Sequence, residues 1–97
     1  MNRNDVIRTL QPHRQELAER FGVKSLALFG SLARDEAEEG SDVDLLVEFD
    51  RPVGLFGLFE LQDHLEDLLG CSVDLGTPES LKPRIRSSVL AECVRVA

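Results

Sequence analysis

Two short apolar runs, each bounded by turn residues, constrain the fold of this 97-residue chain more than any other feature. Residues 24–29 (KSLALF) stop abruptly at Gly30 and Ser31, and residues 42–49 (DVDLLVEF) open with two acids. Short apolar runs between turn residues are typical of buried β-strands. The stretch between them is highly charged and contains a glycine, which predicts a solvated loop after a short helix.

Apolar residues outside these runs follow helical spacing. The first helix is predicted to end at Gly22 and to be kinked or divided at Pro12. The longest helix follows the leucines from residue 55 to 68 and is predicted to end at Gly70. A third strand is predicted at residues 71–75 (CSVDL). A last helix is predicted from the alignment of Ile85, Val89, Cys93 and Val96.

This order of elements predicts one α/β (α+β) domain covering residues 1–97, with a three-stranded sheet flanked by helices. Eleven Lys and Arg against eighteen Asp and Glu give a net charge of −7, which disfavours nonspecific nucleic-acid binding. No apolar run is long enough to span a membrane, and the polar first residues do not resemble a signal peptide. We therefore expect a cytoplasmic protein.

Three acids in the predicted strands form the candidate metal site. Asp42 and Asp44 are two apart in a strand, so their side chains point to the same face, where two carboxylates repel unless a cation lies between them. Asp74 is flanked by Val73 and Leu75 in the third strand. If that strand lies beside the second, Asp74 faces the same cations and can serve as ligand and general base.

Gly30 and Ser31 are the candidate phosphate-binding residues. A glycine after a strand allows a tight turn that exposes backbone amides, and the Ser31 hydroxyl and Arg34 guanidinium can reach the same anion. A nucleoside triphosphate is thus expected on the turn, with its α-phosphate over the metal ions. The alternative is an ordinary turn, with Asp44 and Asp74 as exposed acids at a sheet edge.

The segment FGSLAR…SDVDLLVEF resembles the nucleotidyltransferase superfamily that includes DNA polymerase beta, whose motif is Gly-Ser, Asp-x-Asp and a later strand carboxylate. The short chain with its leucine-rich helix, VDL and LKPRIR is similar to the minimal nucleotidyltransferases of the MntA type, which are antitoxins of HEPN-domain toxins. The resemblance covers residues 20 to 95. Asp35 departs from it, since related chains often have Gly there.

The resemblance implies the nucleotidyltransferase fold with a mixed sheet, and transfer of AMP from ATP to a tyrosine of a partner ribonuclease toxin. It also implies that Asp42, Asp44 and Asp74 bind magnesium, as two ions, and that Gly30 and Ser31 bind the triphosphate. A homo-oligomer or a hetero-oligomer with the toxin is compatible with it.

Two other functions remain open at this point. A chain of this kind can neutralise a toxin by covering it, without catalysis, or can modify a small molecule or an RNA end.

The start of the longest helix carries more apolar residues than one buried stripe requires. For Leu55, Phe56 and Phe59 we favour core packing slightly over a partner interface.

Overall fold

The computed structural model describes residues 2–33 and 42–96, with the backbone alone at residues 31 and 32. The helices are Arg3–Leu10 (α1), Arg14–Phe21 (α2), Gly30–Ala33 (α3), Leu55–Leu69 (α4) and Pro83–Glu92 (α5). The strands are Val23–Phe29 (β1), Val43–Phe49 (β2), Val73–Gly76 (β3) and Val94–Arg95 (β4). Single turns of 3₁₀ helix occupy Gln11–His13 and Pro78–Ser80.

The sheet is mixed, as expected, but it has four strands, so the prediction of three is wrong. The strand order is β3-β2-β1-β4. Strand β1 runs antiparallel to both β2 and β4, while β2 and β3 are parallel. The parallel pair is connected by α4, as a parallel connection requires a crossover.

The fourth strand comes from the segment that was predicted to end the last helix. Helix α5 ends at Glu92, and Cys93 has extended backbone angles. Val96, which is 1% exposed, donates its N–H to Leu26 O at 2.8 Å. Burial of Val96 and pairing with β1 therefore override the helical spacing of this short segment.

Helix ends follow the local signals in the sequence. Gly22 and Gly70 take left-handed conformations, with φ of +73° and +70°, and end α2 and α4 as predicted. Pro12 lies in the 3₁₀ turn that divides the first helical segment into α1 and α2. Within the described residues, no helix is both long and apolar enough to cross a membrane.

The core is formed by the strands and by residues of the four helices α1 to α4. Its helical members include Val6 and Leu10 from α1, Leu17 from α2, and Leu61 and Leu65 from α4.

The strands β2 and β3 contribute every second residue to this core. The five buried members are Val43, Leu45, Val47, Val73 and Leu75. Since strand side chains alternate between faces, the intervening Asp44 and Asp74 lie on the opposite face.

Candidate active site at the start of the parallel strands

Strand register places two of the predicted acids side by side. Asp44 of β2 is the direct partner of Asp74 of β3 in the parallel ladder. The ladder begins where Val43 N–H donates to Ser72 O at 3.0 Å, so both acids belong to the first residues of their strands. We call Asp44 and Asp74 the acid pair.

The turn after β1 brings Gly30 against the acid pair. Asp44 lies opposite Phe29, the residue before Gly30, in the β1–β2 ladder. Gly30 has φ of +73°, and a Cβ added there would collide with Asp44 Oδ2. A glycine is thus required at position 30 for two reasons. It adopts the left-handed conformation, and it lets the Asp44 carboxylate approach the backbone.

Electrostatic repulsion is concentrated on Asp44. Its pKa is raised above the ordinary value, first by partial burial and then by the negative charges of Asp74 and Asp42. A hydrogen bond to Asp74 also favours the protonated form. The surroundings of Asp44 therefore disfavour its ionised form, which is the condition that a bound cation relieves.

Asp42 is an exposed residue immediately before β2. It acts on Asp44 through its charge, but no three His, Cys, Asp or Glu side chains in residues 2–33 and 42–96 are grouped closely enough to hold a metal ion. The acid pair is thus already assembled, and Asp42 is a neighbour of it.

The predicted phosphate-binding residues are described only in part. Gly30 and Ser31 form the first two residues of α3, directly after β1, as the turn prediction requires. The Ser31 side chain and the whole of Arg34 lie outside the described residues. Their predicted contacts with a nucleotide stay predictions.

One contact of the site has no signal in the local sequence. Arg3, the first residue of α1, donates from Nη1 to Ala33 O at 3.0 Å. Ala33 is the last residue of α3 and belongs to the core. Arg3 thus ties the far end of the Gly30–Ala33 turn to the N-terminal helix, across thirty positions of sequence.

A second such contact involves Glu66. Its Oε2 accepts the Val73 N–H at 3.0 Å, where β3 begins. Because β3 is an edge strand whose Ser72 carbonyl faces β2, the Val73 amide faces the open side of the sheet. Glu66 satisfies this amide and fixes the start of the strand that carries Asp74.

The chemistry of the acid pair fits a hard divalent cation. Carboxylate oxygens are the preferred ligands of Mg²⁺, and two neighbouring carboxylates suit one or two such ions. The lack of a side chain at Gly30 lets the Asp44 carboxylate lie directly against the backbone of the turn. Asp44 and Asp74 are therefore the residues expected to hold a metal, with Asp42 added on cation binding.

Comparison with known proteins identifies the family of this chain. Residues 10–96 match the family model for a nucleotidyltransferase domain. The chain is 49% identical over 87 residues to the protein adenylyltransferase MntA of Thermococcus cleftensis, covering 90% of this chain and 88% of that protein. The range matched by the family model spans the positions of the acid pair, Gly30 and Ser31.

Solved structures share the fold. A minimal nucleotidyltransferase superposes with a TM-score of 0.80 at 38% identity, covering 97% of this chain and 95% of the other. A toxin–antitoxin complex with AMP-PNP matches with a TM-score of 0.71 at 23% identity, covering all of this chain and 73% of the other. The MNT antitoxin structure with tri-AMPylated HEPN toxin of Shewanella oneidensis has a TM-score of 0.65 at 18% identity, covering 94% and 71%.

Proposed function

This chain belongs to the nucleotidyltransferase domain family, and we propose that it is a protein adenylyltransferase that transfers AMP from ATP to a HEPN-type toxin, which it thereby neutralises. The acid pair beside Gly30 carries this proposal, because it combines cation ligands with a glycine turn in one place. The named activity of the Thermococcus cleftensis relative supports the transfer to a protein. The complexes of similarly folded antitoxins with toxins support the partner.

In this proposal Asp42, Asp44 and Asp74 hold Mg²⁺, as two ions. When bound there, Mg²⁺ would neutralise charge on the α-phosphate and on the pyrophosphate that leaves. Asp74 also accepts the proton of the attacking hydroxyl, which the resemblance assigns to a tyrosine. The Gly30–Ser31 backbone and the Arg34 side chain hold the β- and γ-phosphates, so that the triphosphate lies in line with the hydroxyl.

The chain's own geometry explains why the metal is required in this proposal. A triphosphate approaching Asp44 and Asp74 meets two carboxylates and is repelled. Glu66 and Arg3 act indirectly, since they fix the start of β3 and the end of α3 without reaching the reacting atoms.

The experiment is transfer of label from [α-³²P]ATP to a purified HEPN-type toxin, with and without Mg²⁺. We expect label on the toxin only when metal is present. Asp44→Ala and Asp42→Ala are expected to abolish labelling, while a substitution at the exposed Glu48 on the same strand leaves it intact.

Two results would contradict this proposal and favour a different function. If Asp44→Asn neutralises the toxin in cells as well as the unaltered chain does, the protein is an antitoxin that acts by binding alone. If the label appears on RNA ends or a small molecule while the toxin stays unlabelled, the acceptor is not a protein.

A further inference from the structure

The solvent side of α4 has two chemically different halves. Phe56, Phe59, Glu60, Asp63 and Asp67 recur at three- and four-residue intervals, and all five are exposed. They form one stripe along the helix, which we call the α4 outer face. The first half of this face is aromatic and the second half is acidic.

The aromatic half is unusually apolar for a surface. Phe56 and Phe59 are 86% and 54% exposed and Leu55, beside the face, is 71% exposed, so the preference for core packing is wrong for these three residues. The physical reason is that Leu58, Leu61 and Leu65 already form the stripe that packs towards the sheet. Together the three exposed side chains present on the order of 400 Å² of apolar surface, the size of patch that often marks an interaction site.

The acidic half continues into a cavity between α4 and α2. The cavity has a volume of about 380 Å³ and includes the carboxylates of the α4 outer face. Its full lining is Arg20, Phe21, Glu60, Asp63, His64 and Asp67. Three acids against one arginine leave this cavity suited to a basic side chain of another molecule.

A second copy of the chain does not fit the α4 outer face. Parallel pairing of two such faces sets acids against acids, and antiparallel pairing sets the acids of one copy against the aromatic half of the other. Pairing through the aromatic halves alone buries about half of the roughly 800 Å² per partner that a stable interface needs. The net charge of −7 adds repulsion between copies.

We propose that the α4 outer face is the docking surface for the toxin partner, and that this protein presents an apolar pocket bordered by Lys or Arg. The proposal rests on the proposed function, since it names where that partner binds. The length from Phe56 to Asp67 is about 17 Å, so an occupant that covers both halves gains apolar burial and paired charges.

Docking and chemistry are in separate parts of the molecule. The apolar stripe of α4 packs on the core face of the sheet, whereas the acid pair lies on the other face. The aromatic half is also at the end of α4 that follows β2, and the helix ends near the start of β3, where Asp74 lies. Substitutions at Phe56 therefore leave the metal and nucleotide site unchanged.

The test measures binding of a purified HEPN-type toxin by isothermal titration calorimetry. We expect Phe56→Ser to weaken binding at least 30-fold and Asp63→Lys at least 10-fold. The control is Leu90→Ser on α5, a residue that is 44% exposed and lies outside the face, with unchanged affinity. Thermal melts of all variants confirm that each is folded.

Label transfer at saturating Mg²⁺ and ATP separates the two proposals. If Phe56→Ser labels the toxin as efficiently as the unaltered chain at sub-micromolar concentration, docking on α4 is overturned and the adenylyltransferase stands. If the toxin binds through Phe56 but is never labelled, docking stands and the adenylyltransferase falls. If the chain alone sediments as a dimer that Phe56→Ser converts to a monomer, the occupant is a second copy and the docking proposal is overturned.

Discussion

The two faces of the β2–β3 strand pair differ in chemistry, although the residues that line them alternate along the same two strands. On the core face, Val43, Leu45, Val73 and Leu75 are all less than 10% exposed. On the other face, the next residue along each strand is a member of the acid pair. Asp44 is partly exposed and Asp74 is exposed. One ladder thus serves as the centre of the core and as the candidate catalytic site.

This difference shows how a small domain separates stability from function. The apolar face gains free energy from burial, while the acidic face loses some by holding two carboxylates together. The loss is tolerated because the apolar residues on the core face of the same strands stabilise them. Substitutions on the two faces should therefore change different properties, and the following predictions test that separation.

The largest effect is expected on catalysis from the acidic face. Asp44→Asn and Asp74→Asn should each lower AMP transfer by about 1000-fold or more, since metal coordination contributes several kcal/mol to the transition state. Circular dichroism should show both variants folded. Glu48→Gln, on the same strand but exposed and away from the pair, should stay within about twofold. An active Asp44→Asn variant would show that the acidic face is not the catalytic site.

The core face should give the opposite result. Leu45→Ala should lower the free energy of unfolding by about 2–5 kcal/mol, because Leu45 is fully buried and leaves a cavity. Urea denaturation measures this, with the exposed Leu90→Ala as a control that changes by less than about 0.5 kcal/mol. The folded fraction of Leu45→Ala should retain its activity per molecule, and loss of that activity would break the comparison.

A pair of glycine substitutions tests the contact between the turn and the acid. Gly30→Ala and Gly70→Ala both force a side chain into a left-handed conformation, at about 1–2 kcal/mol each. Only Gly30→Ala also displaces Asp44, since nothing lies near a Cβ at Gly70. AMP transfer should fall about 100-fold in Gly30→Ala alone, as a small misplacement of a catalytic group does. Equal activity in the two variants would show that the contact is unimportant.

Arg3 tests whether the support behind the turn matters. Arg3→Ala should raise the KM for ATP about tenfold with a smaller change in kcat, because losing the bond to Ala33 O loosens the end of α3. Arg3→Lys should restore most of the affinity, since an ammonium can also donate to the carbonyl. Arg8→Ala on the same helix, whose side chain is 78% exposed, should be neutral. If Arg3→Ala and Arg8→Ala behave alike, Arg3 has no positioning role.

The smallest effect is a gain of stability on the acidic face. The raised pKa of Asp44 means that the folded state binds its proton more tightly than the unfolded state, so this group loses stabilising free energy as pH rises through that pKa. At neutral pH, Asp44→Asn should raise the metal-free Tm by roughly 2–4 °C, a modest shift because Asp44 is partly solvated. Calorimetry without Mg²⁺ measures it, and a lowered Tm would contradict repulsion within the pair.

Much of the site was predictable because its signals are local. Strand β1, which precedes Gly30, strand β2, which follows Asp42, and strand β3, which contains Asp74, are each indicated by short apolar runs between turn residues. Their assembly needed only the parallel pairing of β2 with β3. Asp44 and Asp74 are direct partners in the ladder, as the prediction of neighbouring strands required.

The remainder depends on contacts between distant residues. Strand β4 is two residues long and exists because β1 offers a free edge, which helical spacing around Cys93 cannot indicate. The bond from Arg3 to Ala33 spans thirty positions. The exposure of Phe56 depends on which side of α4 packs on the sheet. The sequence alone does not decide between the side that carries the leucines and the side that carries the phenylalanines.

The most direct test of the account is Mn²⁺ binding, followed by electron paramagnetic resonance in the presence of a non-hydrolysable ATP analogue. The unaltered chain should bind Mn²⁺ with the analogue, and Asp74→Asn should lose at least 10-fold in affinity while Glu48→Gln does not. That result would place Asp74 in the metal site with Asp44. Mn²⁺ binding that is unchanged in Asp74→Asn would contradict the acid pair as the metal site.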